Sequence, residues 1–214
     1  MIVEMHSHTS EHSSCSHVAA VDLAQRACEV GIQTIVLTDH HYQWSEEELA
    51  DLRKRTGLPN GFQILAGQEV DAGGFGHVLI YGARATISKP GIPLRQIREE
   101  NPDAAIIWAH PYRDKRIPAP ERLLDPLIDG IEIFSSNYTA NEAARALQAY
   151  FQHAEGLEED FPAQVNLYKA RTCLSILYYL AKINLGESEN FWRILVEAER
   201  SLAYVATKGL NVST

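Results

Sequence analysis

Two imidazoles stand one residue apart in His6-Ser7-His8-Thr9, close behind the apolar start Met1-Ile2-Val3. On a strand, positions i and i+2 share a face, so both rings can reach one metal ion. Further His or Glu residues follow apolar runs at Asp39-His40-His41, Glu69, His77, His110 and Glu132. Neutral imidazole and carboxylate ligands suit zinc, manganese or iron. A carboxylate can bridge two cations, and Glu69, just beyond the run at 62–65, is the natural bridge. In this scheme His6 and His8 hold one ion, His77 and His110 a second, and His12 and His40 contribute to a third. A metal pair lowers the pKa of bound water and clamps both oxygens of a phosphoryl displacement. Asp39 is expected to accept a hydrogen bond from an imidazole. Arg113, in Tyr112-Arg113-Asp114-Lys115-Arg116, can grip a phosphate in bidentate fashion.

A single His at a strand end is commonly just a hydrogen-bonded polar residue, so the weight lies in the joint occurrence. His17, His41 and His153 read as solvated. Glu132 either lines the site or is simply polar.

The elements that would position these residues are legible from pattern. Residues 18–30 have helical periodicity and end at Gly31. Residues 32–37 are apolar and rich in β-branched side chains, hence a buried strand ending at Thr38-Asp39-His40. Ser45-Glu46-Glu47-Glu48 is a capping box that opens a helix closing near Gly57. Strands are expected at 62–65, 77–81, 104–108 and 128–134, a short helix at 93–100, and a second capping box at Thr139-Ala140-Asn141-Glu142. Gly73-Gly74-Phe75-Gly76 reads as a flexible turn beside the site. Strands alternating with helices imply a parallel sheet or barrel. Two segments follow from the composition: a metal-binding domain at 1–155 and, past an acidic connector, an all-helical extension at 163–214.

The formal net charge is −9, which disfavours non-specific nucleic-acid or membrane-surface binding. The three cysteines, Cys15, Cys28 and Cys173, have no metal-motif spacing. No secretory signal or membrane span is read, so the expected location is cytoplasmic.

His6-Ser7-His8-Thr9, Leu37-Thr38-Asp39-His40, Gly67-Gln68-Glu69, His77-Val78-Leu79 and Ala109-His110-Pro111 occur in the order found in the polymerase-and-histidinol-phosphatase (PHP) superfamily. The chain resembles that family over about residues 2–145. The resemblance implies an α/β fold, a distorted (β/α)7 barrel, here incomplete, with two to three divalent metal ions. It implies hydrolysis of phosphate esters by metal-activated hydroxide. It places His6, His8 and Glu69 at a first metal, Glu69, His77 and His110 at a second, and His12 and His40 at a third. The catalytic candidates are then Glu69, His40, Asp39 and Arg113. The family closes with Gly-Ser-Asp-x-His, and no such motif follows Glu132.

The expected partners are a small phosphorylated substrate or a short oligonucleotide, and a homo-oligomer formed through the helical extension. The rival readings are a non-catalytic metal-binding or interaction module, motivated by the missing motif, and a nuclease acting on oligonucleotide ends.

Overall fold

Six short strands form one sheet in chain order: β1 (Val3–Ser7), β2 (Thr34–Leu37), β3 (Gln63–Asp71), β4 (His77–Tyr81), β5 (Ala105–Trp108) and β6 (Gly130–Ile131). Among the described residues four α-helices accompany them: α1 (Ala20–Glu29), α2 (Glu46–Thr56), α3 (Leu94–Glu100) and α4 (Pro120–Leu123). The structure is a computed structural model and describes residues 2–123, 125–133, 135, 137–139, 142, 145 and 146. The chain divides into two units, residues 1–139 and 140–214, and the fold described is that of the first. The expected acidic connector, the helical extension with its oligomer surface, and His153 lie outside the described residues, as does most of the second capping box's helix.

Local chemistry explains the helices. Ser45 Oγ accepts the Glu48 backbone N–H while the Glu48 carboxylate accepts the Ser45 N–H, the expected capping box. Gly57, at φ 62°, ends α2 in the left-handed conformation that glycine adopts without steric cost. No side chain of Ala19 can cap α1, so the Glu11 carboxylate accepts the Ala20 N–H from nine residues upstream. That bond ties the loop after β1 to a helix start.

Two apolar clusters hold the sheet. Ala20, Ala24, Leu49 and Leu52 from the first two helices pack on Ile35, Leu37 and Ile64. Leu94 and Ile97 of α3 pack on Val78, Ile80 and Ile106. Each such fully buried Leu or Ile contributes roughly 1.5–3 kcal/mol. All four residues of β2 are buried, as a strand covered on both faces requires.

The sheet is mixed rather than parallel. β1–β2, β2–β3 and β5–β6 pair in parallel, while β4 runs antiparallel to both neighbours. The cause is the five-residue connection 72–76 between β3 and β4. A parallel crossover needs a dozen or more residues, whereas a short turn can only reverse the chain. Ala72 N–H donates to Gly76 C=O across this turn, with Gly73 and Gly76 at positive φ. β3 is also longer than expected, so Glu69 lies inside the strand instead of beyond it. The expected strand at 128–134 contracts to Gly130–Ile131, with Glu132 just past its end.

The sheet curls like half a barrel. Tyr81 Oη, at the end of β4, donates to the Met5 carbonyl on β1 at 2.8 Å. Glu132, past β6, touches His6 on β1. Among the described residues there are six strands, where a full (β/α)7 barrel has seven. Among the described residues no helix is long and apolar enough to cross a membrane.

Candidate metal centre

The reversal of β4 decides where the site forms. His77 is the first residue of β4 and therefore lies at the same end of the sheet as the last residues of the other strands. His8 follows β1, His40 follows β2, His110 follows β5 and Glu132 follows β6. Glu69 enters from within β3, where the ladder continues through His40: Glu69 N–H donates to the Asp39 carbonyl and His41 N–H to the Glu69 carbonyl.

His6 owes its aim to an irregularity. Between Glu4 and Ser7, β1 holds one more residue than the facing stretch Ile35–Leu37, a bulge of the kind that re-aims side chains beside sites. The Glu4 carboxylate accepts the His6 backbone N–H at 3.0 Å.

Five imidazoles surround Glu69 in a closed ring. Neighbouring ring centroids are 5.0 Å (His6–His8), 4.6 Å (His8–His40), 5.3 Å (His40–His77), 5.6 Å (His77–His110) and 5.9 Å (His110–His6) apart. The carboxylate at the centre is 1% exposed. Its Oε2 lies 3.1 Å from His6 Nε2, 2.9 Å from His8 Nε2 and 3.6 Å from His40 Nδ1. Its Oε1 lies 2.7 Å from His77 Nδ1 and 3.0 Å from His110 Nε2. Among the described residues, every ion-pair partner of Glu69 is an imidazole.

Supporting groups fix which nitrogen faces inward. His6 Nδ1 meets Glu132 Oε1 at 2.9 Å, leaving Nε2 for the centre. Glu132 Oε2 accepts the His110 backbone N–H at 2.7 Å and so holds His110 at φ 31°, a strained left-handed conformation. Ser13 Oγ donates to Asp39 at 2.6 Å and accepts the His40 backbone N–H. Its remaining contact is His8 Nδ1 at 3.2 Å, which orients that ring with Nε2 toward the centre.

His6 Nε2, His8 Nε2 and Glu69 Oε2 thus converge, with the two nitrogens 2.9 Å apart. Atoms bound to one tetrahedral ion at about 2.0–2.1 Å stand roughly 3.3 Å from each other. Once the inward nitrogens give up the protons they share with Glu69, these three donors stand at nearly the spacing a divalent cation needs. A second such cluster is His40, Glu69 and His77, whose ligand atoms all lie within 4.8 Å of each other.

Burial works against charge on His6, but its bonds to Glu132 and Glu69 outweigh this and raise its pKa to about 10. For His40 burial wins, lowering the pKa to about 4 and leaving a neutral ring. Glu69 is buried too, yet hydrogen bonds from His110, His6, His77 and His8 hold its carboxyl far below the usual range.

The expected residues are therefore placed as follows. His6, His8, His40, His77 and His110 all gather on Glu69. His12 does not join them: its ring stacks on Tyr42 at 3.5 Å and meets the edge of Trp44. Asp39 touches no imidazole. It is fully buried and accepts from Thr9 N–H, Thr9 Oγ1, Ser13 Oγ and Trp44 Nε1, so it acts on His8 only through Ser13. Arg113 is partly exposed in the loop after β5, its nearest carboxylate being Asp114 at 3.8 Å. Its charge is felt at the Cys15 thiol, where it opposes the upward push of burial, Glu69 and Asp39. His41 is not solvated, since its Nε2 accepts the Asp71 N–H and its Nδ1 meets the Ile87 carbonyl. Reading by spacing missed Ser13 and Cys15; the turn after His8-Thr9 was the available signal for Ser13.

No family model and no curated protein matches the chain. A solved structure does: a "putative metal-dependent phosphoesterase" from Bifidobacterium adolescentis, 16% identical, covers 71% of this chain and 83% of its own, with a TM-score of 0.52. At that identity the likeness is one of fold.

Proposed function

We propose that the protein is a metal-dependent phosphoesterase of the PHP type. The observation that carries this reading is the ring of five imidazoles on the two oxygens of one buried carboxylate. The fold likeness to a protein named as a metal-dependent phosphoesterase supports it.

His6, His8 and Glu69 would hold one cation, and Glu69, His77 and His110 a second. His40, 3.6 Å from Oε2 and next to His77 in the ring, would add a further donor between them. When bound, a pair of divalent cations acidifies water and neutralises charge developing on phosphoryl oxygens. The protein's own part is positional. Glu132 and the Ser13–Asp39 pair hold the inward-facing nitrogens of His6 and His8 in place before any ligand arrives. The protons those nitrogens share with Glu69 would leave when a cation binds. Arg113, in the loop after β5, orients the phosphate of a small phosphorylated substrate or an oligonucleotide end. No side-chain nucleophile is needed.

The test is metal content of the protein purified without chelator, followed by turnover of an aryl phosphate and of a 5′-phosphorylated oligonucleotide. Two or more zinc, manganese or iron ions per chain with turnover supports the reading, and the preferred substrate separates phosphatase from nuclease. Tight metal without turnover of either substrate would replace it with a metal-binding module.

A further inference from the structure

We propose that Cys15 is a metal ligand, adding a thiolate beside His40 and the inward nitrogen of His8 at the mouth of the imidazole ring. The proposal rests on reading that ring as a metal centre and adds a donor which that reading does not use.

The placement is specific. Cys15 Sγ and one ring nitrogen each of His8 and His40 all lie within 4.8 Å of one another. Cys15 is exposed, so a cation can reach it from solvent. Its loop is fixed on both sides. Ser13 N–H donates to the Thr9 carbonyl and Ser16 N–H to the Ser13 carbonyl, so Cys15 rides a turn. Ser10 N–H donates to the Val18 carbonyl and closes that loop. Ser13 Oγ anchors the turn to Asp39, directly beneath His8 and His40.

His40 is the imidazole held most loosely by Glu69, at 3.6 Å against 2.7–3.1 Å for the other four. It is thus the ring freest to serve a second set of donors. His12, the partner expected for His40 by sequence, is engaged with Tyr42. A thiol stands where that partner was sought. On ligation the S–H bond breaks, a sulfur–metal bond forms and the proton leaves to solvent. Thiolate and imidazole together favour zinc or cobalt over manganese and magnesium, which prefer oxygen.

The experiment is a cobalt(II) titration of the full-length, metal-stripped protein followed by absorption. Thiolate bound to cobalt gives a near-ultraviolet charge-transfer band; histidine and carboxylate ligation gives only visible ligand-field bands. The expected result is both sets of bands in the wild type. The charge-transfer band should vanish in Cys15→Ser and persist in Cys28→Ser and Cys173→Ser, with the visible bands kept in all three. Visible bands without charge transfer in the wild type would overturn the thiol site and leave the Glu69 centre standing. A charge-transfer band that survives Cys15→Ser would also overturn it. Absence of any cobalt uptake would remove both readings.

Discussion

Glu132 Oε1 lies 2.9 Å from His6 Nδ1, so a residue just past the last described strand aims a residue on the first. The same carboxylate grips the His110 backbone. Partners that orient metal ligands typically change affinity 10- to 100-fold when removed. Glu132→Gln should therefore weaken zinc binding by about that factor while leaving the circular dichroism spectrum unchanged, as a competition titration against a chromophoric chelator would measure.

Glu69→Gln attacks the centre itself. Neutralising the shared oxygens removes the anion that both cation positions need, so metal content should fall to background. Phosphoesterase activity should drop roughly a thousandfold or more. Retained metal and turnover in this variant would refute the bridging role.

Asp39 accepts four hydrogen bonds while fully buried. Asp39→Ala strands those donors without partners, each stranded group costing about 1–3 kcal/mol less whatever water recovers. The variant should lose about 3 kcal/mol or more in urea unfolding. Ser13→Ala should cost less stability but should still weaken metal binding, because His8 then loses the contact that orients its ring.

The metal-free protein should show two pH limbs. His6 has a folded pKa raised from 6.5 to about 10, so its contribution is fully present below 6.5 and is lost as pH rises through about 10. Glu69 has a lowered pKa, so its contribution is present above about 4.5 and is lost as pH falls below it. His40, lowered from 6.5 to about 4, costs stability as pH falls below 6.5, so thermal melts in chelator across pH 4–10 should be highest near 6.5. Glu69→Gln should remove the loss due to Glu69 at low pH and reduce the alkaline limb, which Glu132 also sustains.

Gly67 gives a test of the scaffold. A Cβ built there would stand 3.0 Å from the Tyr81 ring, 3.1 Å from the Ile80 carbonyl and 3.1 Å from Thr38 Cγ2. Gly67→Ala should destabilise the protein by roughly 1–3 kcal/mol through overpacking. It would also disturb Tyr81, whose hydroxyl bridges to Met5.

What could be read in advance was what local pattern encodes. The Ser45 capping box and the strand at 77–81 depend on residues a few positions apart, and each stands where expected. His6 and His8 do approach one another, but through a bulge and with His8 past the end of β1, not as alternate residues of a regular strand. Alternation of strands and helices does not encode the direction of β4, which is set by the short glycine-rich turn ahead of His77. Glu132 stayed ambiguous because its partner lies 126 residues away and no spacing records that. Cys15 was set aside because cysteines were sought in pairs, whereas its neighbours are histidines.

The five-residue turn before His77 also bears on how the chain reaches its native state. His77 and Glu69 are 8 residues apart, so this half of the cradle closes a small loop at little entropic cost. The contact between His6 and Glu132 closes a loop of 126 residues and must wait until every intervening strand has docked. The expected order of refolding is therefore the His77–Glu69 contact early and the contacts of Glu132 with His6 and His110 last, so a chain stalled before that closure would present half a cradle.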